Sequence, residues 1–345
     1  MRFLEIHSSP CCCAGAERSH KDGRRWLRKE SSGLGFLLFC SGMAFLAVSH
    51  LLPLFLRAVG YRGTALFPGY SYLQPTLYYL LVSAAFILSF FPPGLLYLAV
   101  TRTPLGRALP SQKTAPSLGI ALFVLGSSLA LMSNLPVNWI SDWVGSFWPQ
   151  AESALPQSPV ITTGSATVFS VILYLIRTTV LPAFYEEFMF RGIILGNMRR
   201  YGNGLAVFVS AFLFGIFHGN IRQIPFAFLV GLILGYIVVR TNNIWITIAI
   251  HFFNNAFACL PDVVRPLLPT IVYDILYDSI FYGMFILGAL AALFLLLRFR
   301  GIFLPAVSHS RNPLPLSSRL FGWISAPGTL LIIAYCAVDT FTPWI

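Results

Sequence analysis

The apolar runs of this chain decide its fold class before any other feature does. Nine stretches are apolar over a length near that of a bilayer crossing: 33–58, 75–100, 117–134, 164–198, 203–218, 223–239, 244–260, 275–297 and 320–338. A helix needs about 20 predominantly apolar residues to span the hydrocarbon core. The expected fold is therefore all-α, a polytopic integral membrane helical bundle of eight or nine transmembrane helices. The fifth run is short. The fourth is too long for one straight crossing, because about 1.5 Å per residue carries it past a core of about 30 Å. It must tilt, protrude, or break near Pro182.

Composition agrees. Only 10% of the residues are charged and 57% are hydrophobic, whereas a soluble domain carries about 25% charged residues. The net charge of +11 would suggest nucleic acid for a soluble chain. Here its distribution reports topology, and no nucleic-acid partner is expected. Residues 1–32 hold seven Lys and Arg, and 102–113 hold three. Arg199, Arg200, Arg240, Arg298, Arg300, Arg311 and Arg319 follow in alternate loops. The opposite loops hold only Arg57, Arg62, Arg222 and Arg265, and 136–160 has no basic residue. The positive-inside rule places the N-terminus in the cytoplasm. With nine spans the C-terminus lies outside.

Residues 1–32 read as a basic cytoplasmic tail. They lack the apolar h-region of a cleavable signal, and four acidic residues argue against a transit peptide. Cys11, Cys12 and Cys13 read as reduced thiols in that tail, with lipidation as the alternative. Cys40, Cys259 and Cys336 sit in apolar runs as small hydrophobes. The 136–160 loop carries Trp139, Trp143 and Trp148, expected at the outer membrane interface. No soluble catalytic domain is visible, so any chemistry must come from the membrane helices.

Ionisable residues inside such helices mark function by default. Those interrupting the central runs are Arg177, Glu186, Glu187, Arg191, His218 and His251, with Asn254 and Asn255 beside the last. Helical spacing separates the first group. Glu187 and Arg191 are four apart, share a face, and have the favoured order for pairing. Glu186 is turned about 100° away. It is left without a local partner and is available for general-base work, unless both glutamates only grip Arg191. His218 lies four residues after Phe214, and Asn254 and Asn255 fall on the His251 face at i+3 and i+4. Glu186 is 13 residues before Arg199, His218 is 16 after Gly202, and His251 is 11 after Arg240. These separations correspond to depths of about 20, 24 and 17 Å. Hydrolysis by water needs a base, a group that orients the water, and donors for an oxyanion. Glu186, His218, His251 and an asparagine supply that set.

The ordered trio E-E-x-x-x-R (Glu186, Glu187, Arg191), F-x-x-x-H (Phe214, His218) and H-x-x-x-N (His251, Asn255) resembles the CPBP family. This family comprises the type II CAAX prenyl endopeptidases and their bacterial relatives, the Abi proteins. The similarity spans roughly 160–265, and PAFYEEFMFRG also looks like the family's first motif. It divides the chain into the tail at 1–32, scaffold helices at 33–135, a protease-like core at 160–265 and C-terminal membrane helices at 266–345. The first three spans are expected to be scaffold that could shape substrate entry.

The resemblance implies an intramembrane endopeptidase with catalytic residues Glu186, His218, His251 and Asn255. Glu186 would be the general base, His218 would help activate the water, and His251 with Asn255 would stabilise the oxyanion. Glu187 and Arg191 would form a structural ion pair, and Phe214 would pack the site. The implied substrate is a membrane-associated protein or peptide, lipidated or not. In eukaryotic members it is a prenylated CAAX tail; bacterial relatives are associated with peptide maturation or immunity. The bacterial relatives imply a bacterial plasma (inner) membrane.

The family is read both as metalloprotease and as metal-free glutamate peptidase. No cofactor is the favoured expectation, with zinc on Glu186, His218 and His251 as the alternative. Two other functions compete: a non-catalytic immunity or scaffold protein on the same fold, and a proton-coupled transporter. Arg177 is expected either to snorkel to an interface or to pair with the polar interior.

Overall fold

The structure, a computed structural model, describes residues 10–59, 75–147, 167–303 and 314–342. The described residues are mostly helical, with an isolated bridge between Ser111 and Asn243. In chain order the helices are α1 (Pro10–Ala58), α2 (Pro75–Thr101), α3 (Leu105–Ala108), α4 (Pro116–Met132) and α5 (Asn134–Phe147). They continue as α6 (Val168–Tyr201), α7 (Asn203–Ile216), α8 (Gln223–Thr241), α9 (Trp245–Ala258), α10 (Thr270–Arg298), α11 (Leu316–Ile324) and α12 (Pro327–Phe341).

Among the described residues six helices are long and apolar enough to cross a membrane. The number becomes eight if two bent pairs each count as one span: α9 with the turns at Leu260–Leu267, bent by 42°, and α11 with α12, bent by 62°. Within these helices the backbone groups are satisfied locally, as a lipid environment requires. Helix α7 has 14 residues and covers only about 21 Å, less than the hydrocarbon core of about 30 Å.

Two expectations change. The tail at 1–32 is not separate from the first span: α1 begins at Pro10 and runs unbroken through it. Leu27 is fully buried, and Glu30 pairs with Arg200 at 3.2 Å, which docks this segment onto the fold. Cys11, Cys12 and Cys13 fall in its first turns, and their side chains lie outside the described residues. The 136–160 loop is helical as far as Phe147, with Trp139 and Trp143 exposed on α5. Trp148 lies outside the described residues.

The expected break near Pro182 is instead a change of helical pitch. Pro182 has no N–H for the Thr178 carbonyl, and its ring crowds that oxygen. A π turn at Ile176–Val180 absorbs the misfit, with the Leu181 N–H bonded to the Ile176 carbonyl five residues back. A second π turn covers Phe188–Ile194. Turns of this kind are frequent at functional sites. Glu186 and Glu187 end the short α-helical stretch between them.

The core gathers around the second π turn. Phe188, Met189, Phe190, Ile193, Ile194, Leu195 and Met198 are at most 1% exposed. They pack with α1, α2 and α7. Gly192 allows α3 to lie directly on α6, because a Cβ there would strike the Ala108 carbonyl. Helices α7 and α8 form an antiparallel pair, and α10 packs on α4. The remaining apolar faces of α10 are exposed, as suits a helix facing lipid.

The loops that share a positive charge also share an end of the molecule. Gln112 N–H donates to the Asn242 carbonyl at 3.0 Å, and Arg199 Nη1 donates to Asn242 Oδ1 at 2.8 Å. Arg240 donates to the Gly301 carbonyl and Arg319 to the Tyr201 carbonyl.

Candidate active site

The motif residues come from three neighbouring elements. Helix α6 supplies Arg177, Glu186, Glu187 and Arg191, the end of α7 supplies Phe214, the turn after it supplies His218, and α9 supplies His251, Asn254 and Asn255. A hydrogen bond from Ser210 Oγ to the Phe190 carbonyl, 2.8 Å, holds α7 to α6 beside the site.

The two glutamates have different surroundings. Glu187 Oε1 lies 2.8 Å from Arg191 Nη1, and both side chains are 0% exposed. The Arg191 guanidinium stacks on the Phe214 ring at 4.1 Å. That ring face is a further partner for the guanidinium, and the Thr247 hydroxyl is a further partner for the Glu187 carboxylate. Glu186 is turned away from the Arg191 stripe, with 16% of its side chain exposed.

His251 bridges the two carboxylates, a relation that the sequence did not reveal. Its Nδ1 is 3.1 Å from Glu187 Oε1 and its Nε2 is 3.8 Å from Glu186 Oε2. A carboxylate only accepts, so Nδ1 carries the proton in the first contact. The second distance is too long for a direct hydrogen bond. Glu187 thus does more than neutralise Arg191: it orients the imidazole that faces Glu186.

His218 is oriented in the same way. Its Nδ1 lies 2.7 Å from the Phe214 carbonyl. A carbonyl also only accepts, so Nδ1 carries the proton and Nε2 keeps its lone pair in the neutral ring. The Phe214 ring meets both imidazoles edge-on, at 4.8 Å from His218 and 5.8 Å from His251.

Glu186 and His218 line one cavity of about 350 Å³. Arg177 lines it too, with its guanidinium 4.7 Å from the Phe86 ring. Arg177 therefore belongs to the polar interior and does not snorkel. His251 and Asn255 are not among the cavity-lining residues. Asn255 is one turn beyond His251, and its side-chain hydrogen bond is to Asn254 at 3.5 Å. The scaffold helices take part directly, since Gly42 and Phe45 of α1 and Phe86 and Phe90 of α2 form part of the wall.

Sequence reasoning missed Asp339 of α12, which also lines the cavity. It falls one residue beyond the last apolar run as delimited, so it looked like a flank. An acidic residue four positions after Tyr335 in a helical segment was the available signal.

A zinc site would need three protein ligands about 2.0–2.2 Å from one ion. Among the described residues no three His, Cys, Asp or Glu side chains are grouped to hold a metal. As placed, Glu186, His218 and His251 do not fit that triad.

Residues 168–257 match the family described as type II CAAX prenyl endopeptidase Rce1-like, and this segment contains all three motifs. The chain is 26% identical over 176 residues to YdiL of Bacillus subtilis strain 168, which is named as a putative membrane peptidase; the match covers 50% of this chain and 69% of YdiL. It is also 26% identical over 101 residues to the membrane-embedded CAAX protease MroQ of Staphylococcus aureus strain USA300. That match covers 27% of this chain and 41% of MroQ. No solved structure matches.

Proposed function

We propose that this chain is an intramembrane endopeptidase that hydrolyses a peptide bond of a membrane-associated protein or peptide. One observation carries the reading. Glu186 and His218 face the same cavity, and the Nδ1 of His218 is already committed to the Phe214 carbonyl. A carboxylate and a lone-pair nitrogen are therefore both free to hold one water.

In this mechanism the water gives a proton to Glu186 while its oxygen attacks the peptide carbonyl carbon. The proton then passes to the departing nitrogen as the C–N bond breaks. His218 Nε2 accepts the water's second O–H and orients it. The negative oxygen of the intermediate takes hydrogen bonds from His251 Nε2–H and Asn255 Nδ2–H. That role requires His251 to carry a proton on Nε2 while Nδ1–H remains on Glu187. It also requires Asn255 to leave Asn254 and turn towards the substrate. Glu187 and Arg191 hold His251 in place and touch no substrate.

The test is cleavage by purified full-length protein in detergent, with a prenylated CAAX peptide and its unmodified twin, with and without chelator. The Glu186→Gln variant should lose about 10²–10⁴ in rate while keeping its helical content and melting temperature. Chelator should leave the wild-type rate unchanged. Cleavage by Glu186→Gln at the wild-type rate would refute the mechanism. A cellular phenotype that survives in this variant would favour the non-catalytic scaffold.

A further inference from the structure

Asp339 has no assigned part in this chemistry, yet it shares the cavity with Glu186 and His218. It comes from α12, outside the matched residues 168–257. Its carboxylate rests against Gly219, the residue directly after His218. Gly219 has φ +59, and a Cβ there would collide with the Asp339 carboxylate. Among the described residues Asp339 makes no ion pair or hydrogen bond, and Arg177, on the wall of the same cavity, does not pair with it.

Among the described residues the cavity wall carries more carboxylates than guanidinium groups, and one of those carboxylates, Asp339, is exposed. Glu187 and Arg191 neutralise each other outside the cavity. The wall itself keeps two carboxylates, Glu186 and Asp339, against one guanidinium, Arg177. Glu186 must stay free to take a proton from water. Asp339, exposed and unpartnered among the described residues, is therefore the carboxylate available to a cation that enters the cavity.

We infer that Asp339 is a specificity-determining residue that binds a cationic group of the substrate, a Lys or Arg side chain or a free amino terminus, close to the bond that is cut. The inference rests on the endopeptidase reading for its position relative to the chemistry. Binding alone can test its charge selectivity. Because α12 lies outside the matched segment, this selectivity belongs to the chain's own C-terminal helices and is separate from the shared hydrolytic machinery.

The experiment uses full-length protein in detergent and matched peptides carrying Lys, norleucine or Glu at each position flanking the scissile bond. Each is made with a free and an acetylated amino terminus. Wild type should prefer Lys over norleucine at one position, or the free over the acetylated terminus, by about tenfold or more in kcat/KM, as a charged hydrogen bond warrants. Asp339→Asn should bring that ratio close to one, and Asp339→Lys should shift the preference to Glu. An equal loss for every peptide, or a cation preference that survives in Asp339→Asn, would overturn the assignment.

Peptide Kd is measured in parallel on Glu186→Gln, with and without Asp339→Asn. Selective weakening of the cationic peptide supports the inference even if no peptide is cut. Equal Kd values for all peptides overturn it. Absence of cleavage combined with selective binding would count against the endopeptidase reading alone.

Discussion

Replacing Arg191 with Met should be among the most damaging single substitutions in this chain. The guanidinium is completely buried, 2.8 Å from a completely buried carboxylate. Removing it leaves Glu187 charged in the core with only neutral donors, the His251 Nδ1–H at 3.1 Å and the Thr247 hydroxyl, as partners. Breaking a buried pair in this way costs about 3–5 kcal/mol. The double variant Glu187→Gln/Arg191→Met removes both charges, and the new side-chain amide carbonyl can still accept from His251. It should recover most of the loss, with a coupling energy of about 2 kcal/mol or more. Denaturant unfolding in mixed micelles, followed by tryptophan fluorescence, measures all four members of the cycle. If Arg191→Met lies within about 1 kcal/mol of wild type, or the double variant loses the sum of the singles, the pair does not hold the fold together.

Phe214→Leu removes the ring under the Arg191 guanidinium at 4.1 Å and should cost about 2 kcal/mol; the cost should largely vanish when measured in the Arg191→Met background. Gly219→Ala forces a Cβ into the left-handed region, at about 1–2 kcal/mol, and pushes the Asp339 carboxylate aside. It should lower the melting temperature and reduce the Lys-to-norleucine ratio together, and an unchanged ratio would contradict the placement of Asp339.

How far the sequence reaches depends on the range of each interaction. The apolar runs could be read directly, because crossing a bilayer is a property of consecutive residues. The Glu187–Arg191 contact could be read too, since four residues on a helix fix the distance whatever surrounds it. The Pro182 anomaly was visible, but its resolution into a π turn was not, because the pitch adjusts to packing on both sides. The helical continuation of α1 through the charged tail was hidden as well. Its stability comes from Glu30 meeting Arg200 and from the burial of Leu27, and these contacts come from far along the chain.

The site divides in the same way. Residue types and order pointed to Glu186, His218, His251 and Asn255, and the shared motif order identified the family that they resemble. Only the packing of α6, α7 and α9 placed His251 between two carboxylates separated from it by 64 and 65 residues. Only the packing of α12 on α1 and its bend from α11 brought Asp339 to the Gly219 turn. Local sequence specifies which chemical groups enter the membrane and on which helix face they lie. Where helices cross is set by side chains far apart in the chain, and in this protein those crossings decide which charges are neutralised and which are left facing the cavity.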